Sequence, residues 1–304
     1  FLPDQFRTDF LGVNPNLPLR TPNLDHLCRQ GMRFSNAFTP SPLCAPARAC
    51  LASGRGYNQC GVPNNNHNYP LEQPTYYQRL RDQGYRVCGV GKFDLHKDTS
   101  RPENLFWKLD GSRNLDAWGF TEGIDNEGKL DGSKSYRIND GQPQGPYLDY
   151  LKQRGLADVY AQEHVNIPQT FGTYTTALPD EAYCDNWVAE NGLRFLRQFP
   201  ENQPWHLVVN FTGPHNPMDI TSSMSDRWHA AKLPQAHAND QPNPDAVADK
   251  RRNYAIMVEN IDRLVGDFLK TVSERGETDD TLVVFSSDHG EMLGDHSQWG
   301  KGIW

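Results

Sequence analysis

Apolar residues at Tyr254, Met257, Val258, Ile261, Leu264, Val265, Phe268, Leu269 and Val272 recur at three- and four-residue steps, which predicts a long amphipathic helix. Gly276 and the acidic turn Asp279-Asp280 then lead into the apolar run Thr281 to Ser286, short enough for a buried strand. The same order recurs upstream. Thr21 reads as an N-cap with Pro22 at the first helical position, the helix passes Leu24, Leu27 and Cys28, and Gly31 ends it in the left-handed conformation before a strand over Met32 to Phe38. Tyr76 to Gln83 reads as helix, Gly84 as terminator and Tyr85 to Val90 as strand; Ala182 to Phe199 reads as helix and Trp205 to Phe211 as strand. This alternation predicts an α/β fold with a mainly parallel central sheet, right-handed crossovers and helices on both faces.

Two stretches break the rhythm. Ser100 to Pro179, rich in Gly, Asp and aromatic residues, and Asp219 to Asp249, polar and Pro-containing, each exceed a plain connection. They are read as insertions near the binding face of one domain over residues 1–304, with plain surface elaboration the open alternative. The chain opens without an initiator Met or a signal sequence and stops at Gly302-Ile303-Trp304 without a terminating element, so both ends read as cut. Location therefore stays open, with the periplasm or secretion favoured.

Composition excludes several classes. The net charge is −8 with basic residues scattered along the chain, whereas a nucleic-acid footprint needs a clustered basic face. No apolar run approaches the roughly 18 residues of a membrane span. The 6 cysteines form no C-x-x-C pair and no zinc-ribbon spacing, and they are too few for a disulfide framework.

In an open parallel sheet, ligands bind outside the carboxyl ends of the strands. The residues just after the predicted strands are Asp4-Gln5, Lys92, His215 and Asp288-His289. A single one of these could be a helix cap or a hydrogen-bonded loop residue. Four strand ends that all deliver carboxylate, amine or imidazole point to a shared site. Asp4 and Asp288, supported by Gln5 and His289, suit a divalent cation such as Ca²⁺ or Mg²⁺, with Mn²⁺ possible. Lys92 and Lys301 add positive charge on other sides, so the expected substrate is a tetrahedral, multiply charged ester.

The stretch Ser41-Pro42-Leu43-Cys44-Ala45-Pro46-Ala47-Arg48-Ala49-Cys50-Leu51-Ala52-Ser53-Gly54-Arg55 carries the most information. Pro46 begins a short helix that Gly54 ends, which puts Cys44 at a helix N-terminus where free amides and the dipole favour an anion, with Arg48 one turn on. A buried cysteine ahead of a structural helix is the alternative. Cys44-x-Pro46-x-Arg48 followed by Leu51-Ala52-Ser53-Gly54-Arg55 resembles the signature of the type I sulfatases of the alkaline-phosphatase-like superfamily. Gly84-Tyr85 with Gly91-Lys92, Pro214-His215-x-Pro217, and Asp288-His289-Gly290-Glu291 with Gly300-Lys301 are similar to that family's further motifs. The resemblance covers nearly the whole chain; family members continue past the last lysine into a smaller C-terminal subdomain with an antiparallel sheet, which is absent from this sequence.

The resemblance implies that a maturation enzyme oxidises Cys44 to formylglycine and that a divalent cation, Ca²⁺ first, is held by Asp4, Gln5, Asp288 and His289. Hydrated formylglycine offers two hydroxyls: one attacks sulfur and displaces the alcohol, and the second expels sulfate and restores the aldehyde. Arg48 orients the diol, Lys92 and Lys301 bind sulfate oxygens, and His215 serves the leaving oxygen. The sequence departs from the family at two places. Where the second motif has His two residues after its Lys, this chain has Asp94, with His96 two further on; His96 is preferred as the residue at the nucleophile and Asp94 stays a competitor. Asp4-Gln5 stands where many members have two acids.

The implied activity is hydrolysis of a sulfate monoester, with a sulfated small molecule or saccharide as partner. Trp107, Trp118, Phe120 and Tyr147 are candidates to stack on sugar rings, or form a private core of their own. A phosphate or phosphonate ester hydrolase with the same site, and a catalytically inactive module that binds sulfated glycans, are the alternatives.

Overall fold

A computed structural model describes residues 1–98, 100–101, 104–165, 167, 172–229, 232–241 and 243–302. Ile303 and Trp304 lie outside the described residues. Helices α1 (Pro22–Gln30), α2 (Cys44–Ser53) and α3 (Tyr76–Asp82) precede strand β1 (Arg86–Gly91). Then come α4 (Leu115–Trp118), β2 (Glu122–Asp125), α5 (Lys129–Ile138), α6 (Pro146–Gln153), α7 (Ala157–Val165) and β3 (Thr173–Thr175). They are followed by α8 (Cys184–Gln198), β4 (Trp205–Asn210), β5 (Met218–Ile220), α9 (Ser222–Arg227) and α10 (Pro244–Glu274).

β1 lies between β2 and β4 and is parallel to both, so that Gly91 stands opposite Asp125 on one side and Asn210 on the other. Successive residues of β1 point to opposite faces of the sheet. Cys88 and Val90, with Val209, enter the larger core with α8 and α10, whereas Val87, with Val208, enters a second core with α2, Tyr77 of α3, Phe93, Trp118 and Phe120. Helices therefore cover both faces, as the alternating pattern requires. Local rules also hold. Thr75 and Gln78 form a reciprocal capping box at the start of α3, and Gly54, Gly84 and Gly276 take left-handed backbone after their helices.

The structure departs from the expected elements at several places. Gly31 follows α1 with φ −121° and ψ −144°, not left-handed, because the chain leaves the helix in extended backbone. Met32 to Phe38 forms no strand; Met32, Phe34 and Phe38 are exposed, and among the described residues no strand pairs with the segment. Thr281 to Ser286 is extended without becoming a regular strand. It meets the first residues through Phe1 N to Val284 O (2.7 Å) and Ser286 N to Phe1 O (3.0 Å), but Leu282 and Val284 stay exposed. On its other side the opening segment runs along β4, with Leu2 N to Val209 O at 2.8 Å.

Ser100 to Pro179 is more than decoration, because it supplies β2 to the parallel sheet and α5, α6 and α7 to the main core. Asp219 to Asp249 likewise includes part of β5, all of α9 and the start of α10 as far as Asp249. Trp107, Trp118, Phe120 and Tyr147 are all buried, with Trp118 and Phe120 in the second core and Tyr147 in the first. They are core residues and present no ring to a sugar.

Glu127 anchors the larger excursion. Its buried carboxylate accepts the N–H groups of Tyr147 and Leu148 (3.1 Å each) at the start of α6, but burial dominates and pushes it up from 4.5 to about 7. A folded value above the unfolded one means that the stabilising contribution is complete below about pH 4.5 and is lost as pH rises through 7. Glu127→Gln is therefore expected to flatten the stability curve across that window by about 3 kcal/mol, read from urea melts at successive pH values.

Candidate active site and cation centre

α2 begins at Cys44 itself, after Leu43 in extended backbone, and its first turn closes through Ala47 N to Leu43 O at 3.0 Å. The small side chains of Ala45, Ala47 and Ala49 let this helix sit deep, and Cys44 is buried with it. The thiol meets four groups from other segments. Cys44 Sγ is 3.2 Å from His289 Nε2, 3.6 Å from Asp4 Oδ1 and 3.9 Å from Lys92 Nζ, and it accepts a contact from Lys301 Nζ.

One helical turn on, Arg48 ties the strand ends together. Its Nε donates to Asp288 Oδ2 (2.9 Å) and its Nη1 to the Lys92 carbonyl (2.7 Å) and Asn210 Oδ1 (3.1 Å), while Nη2 lies 3.5 Å from Asp4 Oδ2. Lys92 reaches this place because Gly91 presses against β4. Gly91 has φ 103°, and a Cβ there would fall 2.0 Å from Asn210 O. Lys92 Nζ donates to Asp4 Oδ2 and lies 3.0 Å from Asp94 Oδ2. Burial opposes ionisation of both partners, yet Lys92, Lys301 and Arg48 hold Asp4 well below the usual carboxylate range, and Asp4 and Asp94 hold Lys92 well above its ordinary value.

Asp4, Cys44, Asp288 and His289 offer ligand atoms that all lie within 4.8 Å of one another, and all four are buried. Two carboxylates and an imidazole suit a hard or borderline divalent cation. Gln5 fits the same group. Its N–H bonds Asp288 Oδ1 (2.9 Å), its Nε2 donates to Glu291, and its Oε1 is buried without a hydrogen-bond donor, an orphan oxygen of the kind a cation satisfies. Burial would lower the His289 imidazole, but Asp288 and the Cys44 sulfur outweigh it and raise it to about 9.

The sequence-predicted residues Asp4, Gln5, Cys44, Arg48, Lys92, Asp288, His289 and Lys301 thus come together. His96 does not join them. Its ring lies against Asn114 on Nδ1 (3.2 Å) and Asn104 and Asn68 on Nε2 (3.1 and 3.5 Å), whereas Asp94, the competitor, sits on Lys92. The chain turns at Asp94 with φ 53°, which directs its carboxylate inward and carries His96 past the site. His215 is at the rim, half-buried, with Nδ1 bonded to the Asn216 carbonyl at 2.7 Å. Burial and then the charges of Lys301 and Lys92 drive it well below its ordinary value, against the pull of Asp4. The resting imidazole is therefore neutral and carries its acceptor on Nε2.

Sequence reasoning left several residues out. Asn210 ends β4 and holds Arg48, and the strand-end rule would have found it. Glu291 was read only as part of a motif. Lys129 has no sequence signal, yet its Nζ bonds Asp219 (2.7 Å) and the carbonyls of His215 and Pro217 (3.4 Å each). Asp185 takes the N–H groups of Thr212 (2.7 Å) and Gly213 (3.0 Å), so two buried charges hold the loop that carries His215.

The model of the sulfatase family matches residues 2–304. The chain belongs to the Sulfatase family. It is 27% identical to an arylsulfatase of Clostridium perfringens over 99% of its own length and 64% of the relative's. It is 28% identical to a choline-sulfatase of Rhizobium meliloti over 98% and 58%. Its fold matches that of a phosphonate monoester hydrolase of Agrobacterium radiobacter with a TM-score of 0.75 at 22% identity, over 100% of this chain and 64% of the other. The chain therefore spans about six-tenths of the length of the curated relatives it matches. No helix among the described residues is long and apolar enough to cross a membrane, and their six cysteines carry no disulfide.

Stripped with a chelator and then titrated with a divalent cation, this sulfatase-family protein is expected to gain thermal stability, by about 2.7 kcal/mol at a hundredfold excess over Kd. Asp4→Asn or Asp288→Asn should lose most of that gain in the same melts.

Proposed function

We propose that this chain carries the catalytic site of a sulfatase that hydrolyses a sulfate monoester through a formylglycine made from Cys44. One observation carries the reading: the Cys44 sulfur, on the first turn of α2, is ringed by His289, Asp4, Lys92 and Lys301, four groups from three other segments of the chain. A structural cysteine would meet apolar side chains there. The helix N-terminus and two lysines favour a tetrahedral anion instead.

In this proposal Asp4, Gln5, Asp288 and His289 hold the cation, with Ca²⁺ first among the candidates because most of the donors are oxygen. When bound, the cation offsets anionic charge and polarises an oxygen. Formylglycine supplies the hydrated aldehyde, and a maturation enzyme is the partner that makes it. Arg48 keeps Asp4 and Asp288 apart and aligned. Lys92 and Lys301 take the sulfuryl oxygens and stabilise the charge that builds up on them. His215, at the rim with Nδ1 bonded to the Asn216 carbonyl, would accept a hydrogen bond through Nε2 from the departing alcohol.

A sulfated saccharide remains the first candidate for the alcohol, but the aromatic residues that supported it lie in the core. The proposal therefore commits to the ester head and leaves the sugar to a substrate screen. Hydrolysis of a phosphate or phosphonate ester is the alternative with the same residues. Binding of a sulfated glycan without turnover is disfavoured by the retention of Cys44, Arg48 and both lysines.

Matched aryl sulfate and aryl phosphate esters test the choice; faster turnover of the sulfate is expected, and a preference for the phosphate would overturn it. Cys44→Ala is expected to lower kcat by about a thousandfold or more while the melting curve stays near wild type, because Ala fills part of the same buried place. Mass analysis of the peptide across position 44 should find the aldehyde in active preparations and intact thiol in inactive ones.

A further inference from the structure

Among the described residues of the site, Asp94 is an acid that neither the cation centre nor the nucleophile accounts for. It stands on a positive-φ turn just after β1, buried, where the resemblance leads one to expect an imidazole. Its Oδ2 has no hydrogen-bond partner and meets Lys92 Nζ as an ion pair at 3.0 Å, while Oδ1 lies 3.2 Å from Lys97 Nζ. Lys97 in turn is bound by Asp131 at 2.6 Å. A row of alternating charges thus leads out of the site: Asp4, Lys92, Asp94, Lys97, Asp131. Asp4 is also met by Arg48 and Lys301, at 3.5 and 3.8 Å, so Asp94 is the carboxylate that offsets the positive charge Lys92 brings to the nucleophile. Both lysines hold Asp94 below the usual carboxylate range despite its burial.

Resting on the sulfatase reading, we infer that Asp94 is a specificity residue that makes the pocket select a singly charged tetrahedral ester and reject a doubly charged one. In this inference a singly charged ester replaces the multiply charged one expected from the sequence. A sulfate monoester carries one negative charge, whereas a phosphate monoester carries nearly two at neutral pH. Asp94 Oδ2 is 3.0 Å from Lys92 Nζ, which is itself 3.9 Å from Cys44 Sγ, so the carboxylate lies within about 7 Å of the reacting centre. One extra unit of negative charge at about 7 Å, at an effective dielectric of about 20, is disfavoured by about 10- to 100-fold. A neutral side chain would not impose that penalty. The carboxylate does so while keeping Lys92 aligned.

Asp94→Asn removes the charge and suits the left-handed backbone, and Asp94→Glu keeps the charge. With the full-length matured protein at one pH, the ratio of kcat/KM for an aryl phosphate to that for the matched aryl sulfate is expected to rise about 10- to 100-fold in Asp94→Asn and to stay near wild type in Asp94→Glu. A ratio that moves by less than about twofold in Asp94→Asn, or equally in both variants, would overturn the inference. Calorimetric binding of benzylsulfonate and benzylphosphonate, which cannot be hydrolysed, reads the same selectivity without turnover. The wild type is expected to favour the sulfonate, and Asp94→Asn to lose that preference; a wild type that binds both equally well would also overturn it. Failure of the sulfatase reading would look different: the wild type would release no sulfate, whatever the ratios in the variants.

Discussion

The site depends on a balanced array of buried charges. Asp4, Asp288 and Asp94 would each be costly to bury alone, and so would Arg48 and Lys92. Together they satisfy one another: Arg48 spans Asp288 and Asp4, and Lys92 spans Asp4 and Asp94. The side chains come from four segments, Asp4 from the opening segment, Arg48 from α2, Lys92 and Asp94 from the turn after β1 and Asp288 from its loop, so the array forms only when all four are in place. Breaking one member leaves an uncompensated charge, which couples the chemistry to the fold.

The parallel sheet sets where this array can stand. β1 and β4 end side by side at Gly91 and Asn210, and the opening segment ends beside them at Asp4. The strands point their carboxyl ends the same way, so the next residue of each segment falls in one crevice. The absence of a side chain at Gly91 brings β1 so close to β4 that the Lys92 N–H bonds the Asn210 carbonyl at 3.0 Å. Further out, Lys129 and Asp185 hold the His215 loop through its backbone, and the His215 ring is itself bonded to the Asn216 carbonyl.

Much of this was legible beforehand. The helix-strand alternation foretold the parallel sheet and two covered faces, and the strand-end rule, the Cys44 stretch and the Gly300-Lys301 motif named eight of the residues that meet: Asp4, Gln5, Cys44, Arg48, Lys92, Asp288, His289 and Lys301. Those signals are local or periodic, so a linear reading captures them. The choice between Asp94 and His96 was not legible, because two residues on a turn differ in direction and not in spacing; φ 53° at Asp94 decides it. The aromatic residues of the 100–179 stretch misled for a related reason. Composition cannot say whether a ring faces a ligand or a neighbouring helix.

By itself, then, the sequence determined the class of fold, the place of Cys44 at a helix start and the donor types gathered near it, because hydrophobic period, helix capping and residue chemistry are written along the chain. Only the tertiary structure decided which carboxylate stands on Lys92, which charges hold the His215 loop, and that Ser100 to Pro179 builds part of the sheet. Those outcomes depend on distances between residues far apart in the chain and on the left-handed turn at Asp94, and neither is encoded in the order of neighbours.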